Sequence, residues 1–411
     1  MNREKEKEII DNNYIFSKEK VNNGHQPEID YLKSTSVVLM IITHVYLEYN
    51  MGIFYYIMVI TDNILTASTF MFLMGIGMKY SRHHEPKNYI FRGIILLTLG
   101  QHFYLIRDSL PNLIAWWITG NKNFVSRAML AFQVDILSFA GFSFILIGLL
   151  NIMKFSDTFI LIIGIFMNIF NIFFFKCMKS PNNYLLSQFI GFFLLTNADA
   201  YFPLFSYFIF VAFGYWIGGY YQKMLNKDKF YNLVLIFCSP IVVIFIYLRI
   251  TENIPFLSQF TPLEIYCLMP GHVGILYCMD NLTLLAICYK IHKMLKGKTP
   301  EIITHIAKNL NQYYTISYSI TIQVSIFLKV KGGENAPSEM KYPTLFSFLI
   351  FIVCRILIDM SDKYIHYTIS TLKNSKRNFV FALIWIISII IVIYTYPKIE
   401  VFANMWNDYL K

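Results

Sequence analysis

The chain has 411 residues, of which 56% are hydrophobic and only 15% charged, where soluble domains carry roughly a quarter charged residues. A water-soluble fold of this length cannot hide so much apolar surface, which excludes a soluble enzyme on a single anchor. The formal charge of +10 does not point to nucleic acid either: the lysines lie in links between apolar runs, as the inside-positive bias of membrane proteins dictates.

Residues 1–28 are a polar tail rich in Lys, Glu and Asn, expected to be cytoplasmic and loosely ordered. The first apolar run starts behind this tail, so no cleavable signal peptide is expected. The membrane domain is predicted over 29–400, with a short C-terminal tail at 401–411. Within it, spans are predicted at 31–48, 57–79, 90–107, 133–153, 157–176, 203–221, 229–249, 272–292, 310–330, 343–362 and 378–396. Each is long enough for a hydrocarbon core of about 30 Å, where backbone polar groups must be satisfied within the segment. The fold class is therefore all-α, a polytopic transmembrane helical bundle of about eleven spans (ten to twelve) in the cell membrane.

Two stretches are ambiguous. Tyr184–Asn197 is apolar over too short a length to span, and Leu110–Thr119, with Trp116 and Trp117, reads as an interfacial segment. The charge rule chooses between counts. Lysine-rich links at 79–92, 223–229, 290–308 and 373–377 all fall on the cytoplasmic side with eleven spans and a cytoplasmic N-terminus. Counting 184–197 as a span throws the last three outside, so eleven is taken, with the C-terminus outside. Six cysteines, all in or beside apolar runs and without a CxxC pair, indicate neither a metal site nor a disulfide framework. No strong internal repeat is visible.

The first span carries the most chemistry: Asp30, Lys33, then His44. Eleven residues separate Lys33 from His44, which puts them about 20° apart on one helical face, with Asp30 about 40° to the other side. His44 lies about 16 Å above Lys33, near mid-membrane. An ionisable side chain at that depth is costly and is a functional candidate, although a neutral histidine bonded between helices is the plainer alternative. Asp135 opens its span, as a helix cap or as a site residue. Asp62 and His102 sit in or near spans. Arg92 begins the third span, as an inside-positive anchor or a grip for phosphate. Arg355 and Asp359, at i and i+4, read most simply as an ion pair. His272 and the pair Asp280-Asn281 are further intramembrane polar residues without an assigned role. Gly75, Gly77, Gly214 and Gly218 read as sites of close helix packing.

The order Asp30-x-x-Lys33 followed by His44 resembles the opening helix of integral membrane acyltransferases, both the acyltransferase-3 family and the heparan-alpha-glucosaminide N-acetyltransferase-like family. Other segments are similar to the second of these: 67–78 (ASTFMFLMGIGM), Tyr89 to Leu97, Asp135 to Phe144, Phe202 to Gly218, and the late Asn-containing element Lys308-Asn309-Leu310-Asn311-Gln312-Tyr313-Tyr314. Lys33 stands where Arg is commoner, and Ser317-Tyr318 stands where relatives often carry a further His or an aromatic pair.

The resemblance implies an acyltransferase that uses acyl-CoA, acetyl-CoA above all, as donor and a saccharide as acceptor, within the lipid bilayer and with no metal or nucleic acid. It implies His44 as base or transient acyl carrier, Lys33 and Arg92 against the donor's phosphates, and Asp30, Asp62, His102, Asp135, Asn309 and Asn311 lining the site. A secondary transporter or exporter, with the same buried groups as ion or substrate sites, is the rival class.

Overall fold

The protein is described by a computed structural model over residues 14–49, 67–82, 85–128, 135–177, 184–194, 202–250, 274–332, 342–364, 382–383, 385–391 and 393. Among these residues the fold is helical, with no strand beyond one isolated bridge, Phe16 to Met224. In chain order the helices are α1 (Pro27–Glu48), α2 (Ala67–Tyr80), α3 (Pro86–Tyr104), α4 (Leu110–Thr119), α5 (Lys122–Ala128), α6 (Ile136–Ile152) and α7 (Asp157–Cys177). They continue as α8 (Tyr184–Gly191), α9 (Leu204–Tyr221), α10 (Lys227–Ile250), α11 (Gly274–Met294), α12 (Glu301–Lys308), α13 (Leu310–Gly332) and α14 (Pro343–Tyr364).

Among the described residues, five helical stretches are long and apolar enough to cross a membrane: Pro86–Thr119, Leu204–Tyr221, Lys227–Tyr247, Gly274–Met294 and Pro343–Ser361. Two shorter apolar ones are Ile136–Ile152 and Asp157–Asn171. Neither α1 nor α13 is in this set, because Ser, Thr, Asn, Gln and charged residues dilute their apolar content. Both are packed among other helices. A helix shielded by protein does not need the lipid-compatible surface that α10 and α14 show, with Phe237 and Ile236 on α10 and Phe348 on α14 well exposed.

The predicted third span and the interfacial segment after it are one continuous helical path from Pro86 to Thr119. A π-helical turn, Leu105–Ser109, joins α3 to α4. Pro111 explains it: a proline ring clashes with the carbonyl four residues back, and widening the turn to i→i+5 removes the clash without breaking the helix. Of the stretch 184–197, the described part holds the eight-residue α8, which rises only about 12 Å, and residues 195–197 lie outside the described residues.

The core is sealed by glycine contacts between α2 and α9. A methyl group on Gly214 would collide with the Phe72 carbonyl, and one on Gly75 with the Val211 carbonyl. Gly218 approaches Ile76 Cα in the same crossing, whereas a Cβ on Gly77 meets nothing within 4 Å. Three of the four glycines expected to permit close packing do so, and Gly77 does not.

Basic links gather at one end of the bundle. Lys79 at the end of α2 pairs with Asp157 at the start of α7 (2.6 Å), and Lys227 with Glu28 of α1 (2.7 Å). Lys293 pairs with Asp228 (2.7 Å), and Tyr31 donates to the Lys298 carbonyl. Part of the polar tail is docked there and not loose: Ser17 N–H donates to the Lys223 carbonyl and Leu225 N–H to the Ile15 carbonyl. The link 373–377 lies outside the described residues.

Candidate active site

Pro27 starts α1 where its missing N–H is no loss, and the acidic Glu28 and Asp30 sit at the positive end of the helix dipole. This foot is fixed from several sides. Glu28, 1% exposed, accepts from Tyr221 and from Lys227, and Tyr231 lies against it. Asp30 pairs with His25 Nε2 at 2.7 Å. Ser34 donates to the Ile303 carbonyl of α12 at 2.7 Å. With its foot held, α1 carries His44 to a set depth against α13.

His44 lies parallel on the ring of Tyr318, with centroids 4.1 Å apart and planes 11° from parallel. Its Nδ1 is buried with no hydrogen-bond partner among the described residues. The Tyr318 ring also carries Arg107, whose Cζ is 4.1 Å from the ring centre. Imidazole and guanidinium therefore lie within about 8 Å of each other. Arg107 belongs to the π-helical turn and is 1% exposed. Its Nε donates to Asp108 Oδ2 at 2.5 Å and its Nη1 to Asp135 Oδ2 at 3.3 Å. The same Asp135 oxygen accepts from the Tyr314 hydroxyl at 2.6 Å. Four elements thus meet in one buried polar cluster: α1, the π turn, the start of α6, and α13.

Asp135 is the helix cap that one reading of the sequence offered, and its other oxygen faces the cluster. Its Oδ1 accepts from the Ile136 N–H and caps α6, while Oδ2 faces Arg107 and Tyr314. Further buried polar atoms without a hydrogen-bond partner among the described residues are Gln101 Oε1 on α3, Ser109 Oγ in the π turn and Ser138 Oγ on α6. Orphaned buried polar atoms are rare, and several on neighbouring helices suit a polar ligand.

The other predicted site residues are placed elsewhere. Lys33 is half-buried near the foot of α1 and forms no ion pair among the described residues. Arg92 is exposed, with its guanidinium 5.1 Å from the Phe144 ring centre. His102 is exposed and faces away from Phe103 and Tyr104, which point inward. Asn309 marks the break between α12 and α13 and bonds His305 (3.2 Å), itself 3.0 Å from Asp359. Asn311 is exposed. Asp62 lies outside the described residues. Arg355 pairs with Asp359 at 3.0 Å.

Arg107, Asp108 and Tyr314 were not singled out from the sequence as site residues. Arg107-Asp108 fell at the end of a predicted span, where charges are unremarkable. The available signal was the pair Tyr314 and Tyr318, at i and i+4 on a polar helix, facing the same side as a buried Arg-Asp step.

Comparison with curated proteins gives no match, and neither does comparison with solved structures. Compared with protein families, residues 26–244, more than half of the chain, match the family described as heparan-alpha-glucosaminide N-acetyltransferase, catalytic. The matched region contains α1 with His44, the π turn with Arg107 and Asp108, and Asp135. A helical protein with several apolar membrane-length segments, a buried imidazole in a charged cluster and this match over most of its site belongs to that family of membrane acetyltransferases.

Proposed function

We propose that the chain transfers an acyl group, acetyl in the first instance, from cytoplasmic acyl-CoA to a hydroxyl or amine of a saccharide at the opposite face of the cell membrane. The supporting observation is His44, its Nδ1 buried and unpartnered, stacked on Tyr318 beside a guanidinium held by two carboxylates. In this reading the bundle crosses the membrane about eleven times with its N-terminus and basic links in the cytoplasm. The donor's phosphates meet Lys33 and Arg92, each in the first two turns of a helix that leads to the cluster.

His44 takes the proton of the acceptor as its oxygen or nitrogen attacks the thioester carbonyl. The carbon–sulfur bond breaks, and the proton passes to the departing sulfur, giving the free thiol of coenzyme A. In the variant with an acyl carrier, the imidazole nitrogen attacks first and the acceptor then displaces it. Coulomb attraction from Asp135 favours the imidazolium formed as the proton is taken, and Arg107 opposes it.

The test is acyl transfer in proteoliposomes, with acetyl-CoA on one side and saccharide acceptor on the other. His44→Ala is expected to lower turnover by about 10²–10⁴-fold while the thermal unfolding midpoint stays near that of the parent. Wild-type protein that exchanges solute in counterflow but transfers no acyl group would establish the transporter reading instead.

A further inference from the structure

At the basic end of the bundle, away from the His44 cluster, lies a cavity of about 440 Å³. Six segments build it: the docked tail through Lys20, the end of α2 and the turn after it through Lys79 and Arg82, α3 through Tyr89, α6 through Asn151, α9 through Tyr215, and the turn after α9 through Gln222. Three cations line it. Lys79 is shared between Asp157 (2.6 Å) and the face of Tyr215 (3.8 Å), and it is the one committed to a carboxylate. Lys20 and Arg82 are exposed to the opening and form no ion pair among the described residues.

The decisive group is Gln222. It is 6% exposed, and its Nε2 donates to the Lys79 carbonyl at 2.9 Å. Its Oε1 is buried with no hydrogen-bond partner among the described residues. Solvated anchor lysines need no cavity and leave no buried acceptor unmatched.

We propose that this cavity is a binding site for a phosphate ester that carries a hydrogen-bond donor near the phosphate. Lys20, Lys79 and Arg82 meet the phosphate oxygens, and Gln222 Oε1 accepts from a neighbouring hydroxyl or amino group. Two sources supply that chemistry: the nucleotide end of acyl-CoA and the headgroup of an anionic phospholipid. The first rests on the proposed acyl transfer and deepens it, since Arg92 lies one helical turn beyond Tyr89. The second stands without it.

The experiment compares the full-length wild type with a double variant, Lys20→Ala with Arg82→Ala, and with a control, Lys296→Ala with Lys298→Ala, on another basic link. One arm adds adenosine 3′,5′-bisphosphate to detergent-solubilised protein and reads the thermal unfolding midpoint. The other compares nanodiscs of phosphatidylcholine alone with nanodiscs containing phosphatidylglycerol. A rise in midpoint with bisphosphate in wild type and control, needing at least tenfold more ligand in the pocket variant, identifies the nucleotide source. A phosphatidylglycerol-dependent rise lost only in the pocket variant identifies the headgroup. If neither probe separates the pocket variant from the control, the proposal is overturned. Both arms read binding and not turnover, so a protein that binds bisphosphate but transfers no acyl group keeps this site and loses the proposed function.

Discussion

The face of Tyr318 brings an imidazole and a guanidinium to one ring, and each can be tested by itself. Arg107 is the cation shared by two buried carboxylates, and removing one partner of such a cluster costs about 3–5 kcal/mol. Arg107→Ala is therefore expected to lose most of its folded yield, read by size-exclusion profile and unfolding midpoint. Arg107→Lys keeps the charge but not the fork that reaches both Asp108 and Asp135, so it is expected to fold and to transfer acyl groups more slowly. A wild-type rate in Arg107→Lys would remove the guanidinium geometry from the mechanism. Lys33→Ala and Arg92→Ala are expected to raise the KM for acyl-CoA more than that for the acceptor. The loss is about 1.5–3 kcal/mol for a charge-assisted contact with phosphate, against well under 1 kcal/mol for a solvated anchor. Equal effects on both substrates would make these residues anchors. His44 could be picked out beforehand because depth follows from helical rise along a single helix. Arg107 could not, because its burial depends on three other elements converging on the π turn.

Two element-level devices hold these residues in place. The first is the α2–α9 crossing, where backbone meets backbone at Gly214 and Gly75. Gly214→Ala puts a methyl group against the Phe72 carbonyl and is expected to cost about 1–3 kcal/mol through overpacking. Gly77→Ala, on the open face of the same helix, is expected to leave stability unchanged or slightly raised. Paired unfolding curves decide this, and equal losses at both positions would refute a specific close approach. The second device is the foot of α1. Glu28→Ala breaks the contacts to Tyr221 and Lys227 and leaves Lys227 without its buried carboxylate, at a cost of about 3 kcal/mol. Because α1 also carries His44, this variant is expected to lose turnover along with stability, whereas His44→Ala loses turnover alone. The sequence showed α1 and α9 as helices, but not the π turn between α3 and α4. A proline within a run reads as a break, and only the packing around Pro111 shows that the helix widens and continues.

For the whole molecule, the expected topology places the docked tail, the end of α2, the turn after α9 and the link after α11 on one face. Single cysteines at Lys223 and Lys296, introduced without the native cysteines, are expected to react with an impermeant maleimide only from the cytoplasmic side. Labelling of the two from opposite sides would break the eleven-span reading. The sequence by itself determined that this chain is a helical membrane protein. That much follows from apolar run length and from the need to satisfy every backbone group inside lipid, both local properties. It also put His44 and Lys33 on one face of α1, since a single helix fixes both rise and direction. Only the tertiary structure decided which polar residues join it. Asp135 comes to Arg107 from 28 residues along the chain, and Tyr314 to Asp135 from 179, while His102, five residues before Arg107, faces outward. Helical periodicity ranks the faces of one helix, but it cannot say which face of each is turned toward the others, because that is set by how all of them pack.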